Sequence, residues 1–208
     1  MSIWGRVFAA LYDRTLAASE EAGLAERRRA LLAAAHGRVV ELGAGTGLNL
    51  AHYPPGGIEE LVLVEPEEAM ARRLRRRLAS SPLPARVISA RGESLPLPDG
   101  HFDVAVATLV LCTVGDPTRT LSELRRVLRP GGRLLFLEHV RAEEPKLARW
   151  QDRIDPVWSR VAHGCHCNRA TLGALERSGF AVREVERDRI PKAAAFVRPM
   201  IAGAAERD

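Results

Sequence analysis

The sequence predicts an α/β protein with a doubly wound, mostly parallel sheet of seven strands and helices on both faces. Short apolar and β-branched runs alternate along the chain with amphipathic stretches, which is typical of parallel strands joined by right-handed helical crossovers. Turns rich in glycine and proline separate these runs at 43–47, 54–57 and 130–132. The chain has 208 residues, 46% of them hydrophobic, which suffices for the core of one domain.

Each element is predicted from its local pattern of apolar residues. The first strand is a short β-branched run that leads into glycines, and the second is wholly apolar, as expected of strands buried on both faces. Helices are predicted where apolar residues recur at helical spacing, and glycine or proline marks their ends. The predicted strands are 38–42, 61–64, 86–89, 104–108, 133–138, 181–189 and 201–205, and the predicted helices are 24–35, 67–79, 118–128 and 170–178.

One domain is predicted over residues 1–208. Residues 1–36 form N-terminal helices, 37–139 form the main part of the sheet, and 140–208 contain an insertion and the final strands. The first of these helices carries apolar residues on one face, which could pack on the domain or make peripheral contact with a membrane. These residues are Ile3, Val7, Phe8, Leu11 and Tyr12.

Composition excludes several classes of protein. The formal net charge is +5. The one dense basic cluster, 72–77, has helical spacing beside two glutamates and is interpreted as a solvated helix face. No nucleic-acid partner is therefore predicted. No apolar run reaches the ~20 residues that a membrane span requires. The three cysteines, Cys112, Cys165 and Cys167, suggest no disulfide framework. We therefore predict a cytoplasmic protein, and the oligomeric state stays open.

The turn after the first strand contains glycines at alternate positions, Gly43, Gly45 and Gly47. Glycine lets the backbone turn sharply and lets a ligand approach where a Cβ atom would collide. A dinucleotide fingerprint would need glycine at position 48, but Leu48 stands there, which disfavours a pyrophosphate loop and a nicotinamide oxidoreductase. The turn therefore predicts a site for a nucleoside with a small zwitterionic group, and a purely structural tight turn is the alternative.

A carboxylate, Glu65, ends the second strand, with Pro66 and Met70 after it. A carboxylate at this position can accept hydrogen bonds from both ribose hydroxyls, and the two apolar residues offer a wall to adenine. The alternative is that Glu65 caps the following helix.

These motifs together resemble the class I S-adenosylmethionine-dependent methyltransferases. The resemblance implies a Rossmann-like fold, with S-adenosylmethionine as cofactor and S-adenosylhomocysteine as its product. It rests on 39–47, Glu65, 95–103 and 127–132, in this order along the chain. A resemblance over more of the chain is to the methyltransferase-like family of thiol S-methyltransferases, through 53–56, 108–114, 138–140, 150–151, 155–158, 164–165 and 197–199.

The resemblance implies that 37–139 is the cofactor-binding core and that 140–208 lies on the acceptor side. The glycine turn would surround the methionine moiety, Glu65 would hold the ribose, and the segment at 92–93 would border adenine. The chain departs from the common pattern at Arg91, where many relatives have aspartate, and at Glu65, where aspartate is commoner. The implied cofactor-binding residues are Glu41, Gly43, Ala44, Gly45, Gly47, Asn49, Glu65, Pro66, Met70, Gly92, Glu93, Thr108 and Leu109.

The expected methyl acceptor is a small apolar molecule, with a thiol as first choice. A thiol has a pKa near ~8.5, so a weak base or a positive field is enough to produce reactive thiolate. His139 is the candidate base, and a packing or hydrogen-bonding role is its alternative. Trp150, Trp158 and Phe180 are candidates for the acceptor pocket or for core packing. A hydroxyl or amine acceptor, and a catalytically silent cofactor-binding module, stay open as other functions.

No metal site is predicted. His163, Cys165, His166 and Cys167 lie close together in the sequence, but their spacing matches no usual zinc pattern. Cys112 lies in an apolar segment and is expected to be a small core residue rather than a nucleophile.

Overall fold

A computed structural model describes residues 3–54 and 56–208, with side chains from residue 9 onward. Its strands are β1 (Gly37–Leu42), β2 (Ile58–Val64), β3 (Ala85–Ile88), β4 (Phe102–Thr108), β5 (Leu128–His139), β6 (Phe180–Arg189) and β7 (Pro199–Arg207). They form one seven-stranded sheet in the order β3-β2-β1-β4-β5-β7-β6. The pairings among β1 to β5 are parallel, whereas β7 runs antiparallel to both β5 and β6. The predicted fold class is confirmed.

Helices connect the strands. They are α1 (Ile3–Ser19), α2 (Ala25–Leu32), α3 (Glu68–Leu78), α4 (Pro117–Val127), α5 (Pro145–Val161) and α6 (Thr171–Arg177), with a π-helical turn at Glu20–Leu24 and 3₁₀ turns at Leu48–Ala51 and Ala195–Val197. Side-chain caps fix the starts of two of the longer ones: Asp116 accepts a hydrogen bond from the Arg119 amide at α4, and Glu144 accepts two from the amides at the start of α5. A proline follows each cap, where its missing N–H costs nothing.

Alternate residues of the central strands supply two separate cores, one on each face of the sheet. Val40, Val62 and Ala105 pack in one core with residues of α4 and α6, whereas Val39 and Val104 pack in the other with residues of α2 and α3. Because both faces are covered, the strands are apolar on both sides, which is the pattern from which they were predicted.

The carboxyl ends of β1 and β4 lie at the point where the chain order in the sheet reverses. β1 pairs with β2 on one side and with β4 on the other, so the connections that leave these strands run in opposite directions along the sheet. Such a point opens a crevice above the sheet, where open parallel sheets bind their ligands.

The structure departs most from the sequence prediction in two elements, β5 and α5. β5 begins at Leu128, which pairs with Phe102, and after a register shift the ladder resumes with Arg133 opposite Val104, so the strand is longer than predicted. The insertion contains the 17-residue helix α5, which was not predicted. Pro156 lies inside this helix and cannot donate the usual backbone hydrogen bond. A proline at such a position predicts the end of a helix, so the sequence did not indicate α5.

The apolar face predicted on the first helix lies partly outside the described side chains, which do not include Ile3, Val7 and Phe8. Within the described part, Ala9 and Tyr12 pack with Met70 of α3, whereas Leu11 is 45% exposed. None of the described helices is long and apolar enough to cross a bilayer. The location and the membrane contact stay predictions.

Candidate functional site

A small cleft opens at the carboxyl ends of β1 and β4. Six residues that the sequence singled out meet there, and four others join them from α1, α2 and the glycine turn. The lining residues are Glu41, Gly43, Ala44, Gly45, Asn49 and Thr108, together with Tyr12, Arg28, Thr46 and Leu48.

The glycine turn is required by its surroundings. Gly43 has a φ of +61°, and a Cβ atom built on it would lie 2.2 Å from Cγ2 of Val110. Gly45 has a φ of +57°, but a Cβ atom there would meet nothing closer than 3.9 Å. Its side of the turn is therefore open toward the cleft, while Gly47 packs against α3 and does not line the cleft.

Glu65 joins the glycine turn to the start of α3. Its Oε2 atom accepts a hydrogen bond from the Gly45 amide and its Oε1 atom accepts one from the Glu67 amide, both at 2.8 Å. Burial raises the pKa of Glu65, against the two backbone hydrogen bonds. The N-cap of α3 is Glu67. Each oxygen of Glu65 keeps a second lone pair, so the carboxylate could still accept ribose hydroxyls.

A buried polar network forms the floor of the cleft. Asn49 donates from Nδ2 to Glu41 Oε1 and to Thr108 Oγ1, both at 2.9 Å, and Tyr53 donates to Glu41 Oε2 at 2.8 Å. Burial raises the pKa of Glu41, although Tyr53, Asn49 and Arg28 oppose that effect. The network holds the end of β1, the 3₁₀ turn and the end of β4 in one arrangement.

Arg28 of α2 completes this floor and was not found from the sequence. Its Nη1 atom donates to Asn49 Oδ1 at 2.9 Å and to Thr108 Oγ1 at 3.1 Å, and Nε pairs with Glu20 at 3.0 Å. Among the residues that the structure describes, Nη2 has no hydrogen-bond partner. A buried guanidinium with a spare N–H at the cleft is a binding group for a carboxylate.

The remaining predicted cofactor residues do not line this cleft. Gly92 fits tightly against Thr120, where a Cβ atom would lie 2.8 Å from Cγ2. Glu93 turns its carboxylate to the amides of Gly115 and Asp116, at 2.7 and 3.1 Å, and thereby fixes the loop before α4. Pro66 is exposed and Met70 is buried under α1.

Leu109 follows the end of β4 with a φ of +53°, a strained conformation for a bulky residue. Its amide donates to the Leu137 carbonyl at 2.8 Å, which keeps the strand ends together at the point of strain. The chain then turns sharply toward Cys112, whose side chain is 1% exposed.

A cluster of sulfur and nitrogen atoms lies beyond the cleft, where β5 ends. His139 Nε2 lies 2.9 Å from Cys165 Sγ, and Cys165 Sγ lies 3.8 Å from Cys112 Sγ. Burial lowers the pKa of His139, but its bond with Cys165 and the charges of Cys165 and Glu138 outweigh that effect and raise it. We call Cys112, His139 and Cys165 the thiol–imidazole cluster.

The thiol–imidazole cluster differs from the four residues grouped in the sequence. Of these, only Cys165 enters the set of three mutually close ligand atoms found in the described part of the chain. His166 pairs with Asp155 instead, at 2.7 Å, and Cys167 is buried. The expectation that Cys112 is buried is confirmed, and the absence of a metal site stays a prediction.

The segment that carries Cys112 is held from both sides. Glu138 Oε1 accepts from the amides of Val110 and Leu111, at 2.9 and 2.8 Å, while Arg169 donates to the carbonyls of Leu111 and Val114. Burial raises the pKa of Glu138 to about 7, against these backbone hydrogen bonds. Sequence reasoning did not assign Glu138 a role, because its partners are backbone amides.

The buried Gln151 of α5 ties the insertion to the sheet. Its side chain bonds to the Ala142 amide and to the carbonyls of Val140, Cys167 and Phe196. Two tryptophans of α5 pack on Phe196, whose ring lies 4.9 Å from that of Trp158 and 5.4 Å from that of Trp150.

Of the two roles predicted for Phe180, acceptor pocket or core packing, the structure shows core packing. Phe180 pairs with Arg207 at the start of β6, near the edge where Leu128 begins β5, and it packs in the core beside α4. Because β7 is antiparallel to both β5 and β6, β6 runs in the same direction as β5 and begins at the end of the strands opposite the cleft, which sequence proximity did not reveal.

Comparison with known proteins agrees with the geometry. A family described as "Methyltransferase domain" matches residues 40–136. Thiol S-methyltransferase TMT1B of Homo sapiens is 39% identical over 180 residues, 84% of this chain and 73% of the relative. The ubiquinone/menaquinone biosynthesis C-methyltransferase UbiE of Ectopseudomonas mendocina is 35% identical over 119 residues, 55% of this chain and 46% of the relative.

A solved S-adenosylmethionine-dependent methyltransferase from Thermotoga maritima has the same fold, with a TM-score of 0.72, 24% identity and coverage of 99% of this chain and 98% of that one. The residues in and beside the cleft fit S-adenosylmethionine, the cofactor of the Thermotoga maritima enzyme. They include an open glycine turn, the carboxylate of Glu65 with spare lone pairs and a buried guanidinium. The chain therefore belongs to the class I S-adenosylmethionine-dependent methyltransferases and, within them, to the family that includes human thiol S-methyltransferase TMT1B.

Proposed function

We propose that the enzyme transfers the methyl group of S-adenosylmethionine to the sulfur of a small apolar thiol. The observation that carries this proposal is the extent of the match with the human thiol S-methyltransferase. A match over 84% of the chain extends beyond the cofactor-binding core into the acceptor side, whereas the C-methyltransferase match covers 55%. The acceptor side is where the choice of methyl acceptor is made.

Cofactor binding in this proposal uses Arg28, which lines the cleft, and Glu65, which bonds to the amide of the lining residue Gly45. Arg28 donates from Nη2 to the cofactor carboxylate, and Glu65 accepts from the ribose hydroxyls. Both bonds are charge-assisted and therefore stronger than neutral hydrogen bonds. The support for them is the spare hydrogen-bonding capacity of the two side chains.

When bound, the cofactor supplies an electrophilic methyl group on a sulfonium. The protein contributes mainly by positioning the acceptor, which can supply ~7 to 11 kcal/mol of the barrier. Leu109 and the network around Thr108 fix the floor of the cleft. Helix α5, whose Trp158 packs on Phe196, is the element proposed to lie over the acceptor.

His139 is the proposed base for the acceptor thiol. Its Nε2 atom lies 2.9 Å from Cys165 Sγ, and this contact with a sulfur atom supports an exchange of protons between His139 and a thiol. The raised pKa of His139 brings it closer to that of a thiol, which makes proton transfer less unfavourable. Below that pKa the ring is protonated and the base is lost, so the rate should fall as the pH falls.

A panel of aliphatic and aryl thiols, alcohols, phenols and amines with isotopically labelled S-adenosylmethionine tests the proposal. We expect labelled S-methyl products, identified by mass spectrometry, from apolar thiols. Product on oxygen or nitrogen, with none on sulfur, would reject the thiol acceptor while leaving the methyltransferase assignment intact. Cofactor binding without methyl transfer to any of the classes would favour a silent binding module.

A pair of histidine variants tests the base. We expect His139→Ala to slow S-methylation most at neutral pH and least above the thiol pKa, where the acceptor ionises unaided. His101→Ala is the matched control, because His101 lies at the opposite end of β4 and pairs with Glu60. A loss in His139→Ala that is equal at every pH would assign His139 to packing or positioning.

A further inference from the structure

We propose that Cys112 and Cys165 are an oxidation site and that a hydroperoxide converts them into an intramolecular disulfide. This disulfide would join the segment after β4 to the segment after α5. The proposal is independent of the identity of the methyl acceptor, because it concerns the side chains of the enzyme itself.

The two cysteines are already close enough to form a bond. Their Sγ atoms are 3.8 Å apart, and a disulfide of ~2.05 Å requires them to approach by about 1.8 Å. Their backbones also touch, since the His166 amide, next to Cys165, donates to the Cys112 carbonyl at 2.9 Å. Side-chain rotation can therefore supply most of the approach, without separating the two segments.

The environment gives the two sulfurs different roles. The pKa of Cys165 falls to about 4, because it bonds to Cys112 and to His139, although burial acts in the opposite direction. The pKa of Cys112 rises well above its ordinary value, through the same bond and through burial. Cys165 is also partly exposed, whereas Cys112 is buried. Cys165 is thus the attacking thiolate and Cys112 the resolving thiol.

The reaction balances with one hydroperoxide. The Cys165 thiolate attacks an oxygen of ROOH, the O–O bond breaks, and the alkoxide takes a proton to leave as ROH, which gives a sulfenic acid on Cys165. The Cys112 sulfur then attacks the Cys165 sulfur, the S–O bond breaks, and the departing hydroxide takes the Cys112 proton to leave as water. Two electrons pass from the sulfurs to the peroxide.

Cys167 lies only two residues from Cys165 but has a different environment. It is buried, its Sγ lies 3.7 Å from the Gln151 carbonyl, and its amide donates to Asp155 at 2.9 Å. Burial and the nearby Asp155 raise its pKa to about 12, so little thiolate is available. The disulfide therefore links positions 53 residues apart rather than the neighbouring pair.

Oxidation would change the proposed acceptor site. A disulfide removes the Cys165 thiolate that His139 now contacts, and it fixes the loop after β4 against the insertion. We therefore expect a loss of methyl transfer that a dithiol reductant reverses.

To test the proposal, the purified enzyme is treated with one equivalent of hydrogen peroxide, and the oxidation state and pairing of its cysteines are determined by mass spectrometry. We expect the Cys112–Cys165 disulfide in the wild type and in the matched control Cys167→Ser. Cys165→Ser should form no disulfide, and Cys112→Ser should stop at a sulfenic acid that dimedone traps. Alkylation by iodoacetamide should be faster at Cys165 than at Cys112 or Cys167, on the order of tenfold or more.

Three outcomes would overturn the proposal. They are a Cys165–Cys167 disulfide, conversion of Cys165 to sulfinic acid without any disulfide, and a metal ion that co-purifies stoichiometrically and is lost in Cys165→Ser. The peptide map of the wild type decides between the first two, even if the buried substitution Cys112→Ser prevents folding. Failure of the thiol panel would leave this result unaffected.

Discussion

Replacement of Glu65 by alanine tests whether its carboxylate binds the cofactor or has only a structural role. Glu65 accepts one backbone hydrogen bond on each oxygen, from Gly45 and Glu67, and each oxygen has one lone pair left for a ribose hydroxyl. Loss of hydrogen bonds to a charged group costs ~1.5 to 3 kcal/mol. We therefore expect Glu65→Ala to weaken the binding of S-adenosylhomocysteine about 10- to 150-fold.

The assay is isothermal titration calorimetry with S-adenosylhomocysteine, which binds without reacting, at a temperature where circular dichroism shows a folded variant. The matched control is Glu67→Ala, because Glu67 caps α3 through the Ala69 amide. Loss of this cap should lower stability by ~0.5 to 2 kcal/mol and leave cofactor affinity unchanged. Equal affinity of the wild type and folded Glu65→Ala would refute the reasoning and leave Glu65 as a structural link between the turn and α3.

Three further predictions concern the floor of the cleft, the base and the glycine turn. Arg28→Met should weaken S-adenosylhomocysteine binding by at least about tenfold, since a charge-assisted hydrogen bond is lost. Calorimetry compares this variant with Arg29→Met, a substitution of the exposed neighbouring arginine, which should bind the cofactor product normally. The rate of S-methylation should fall as the pH is lowered through the raised pKa of His139, and a rate profile of His139→Ala that keeps this step would contradict its role as the base. Gly43→Ala should lower the thermal midpoint and abolish cofactor binding, because the added Cβ atom would overlap Val110. Gly56→Ala is the control, since a Cβ atom there meets nothing within 4 Å, and it should leave both properties unchanged. Similar midpoints for the two variants would contradict the steric argument.

Local patterns in the sequence predict the strands, most of the helices and the glycine turn. Short apolar runs such as 61–64 predict buried strands because both faces of a parallel sheet are covered. Glycines at 43 and 45 predict a turn because their backbone conformation excludes most other residues. These features depend on neighbours within a few residues, so the sequence displays them directly.

The missed residues act through partners that are distant along the chain. Arg28 reaches Thr108 across 80 residues, and it appears in the sequence as one arginine among several on a short helix. Helix α5 was missed because Pro156 argues against it locally, although Gln151 and the aromatic contacts of Phe196 attach it to the sheet. The sequence left Phe180 between the acceptor pocket and the core, and the direction of β6, which depends on strand pairing, places it in the core.

The sequence by itself determined the fold class, the family and the cofactor, because these are encoded in short ordered motifs whose residue types are constrained by backbone geometry. Tertiary structure alone decided which side chains line the same cleft and which thiol contacts His139. Cys165 is two residues from Cys167, yet its sulfur contacts Cys112 and His139, since the ends of β4, β5 and α5 converge above the sheet. Electrostatic environment depends on distance in space, and only the packed chain fixes that distance.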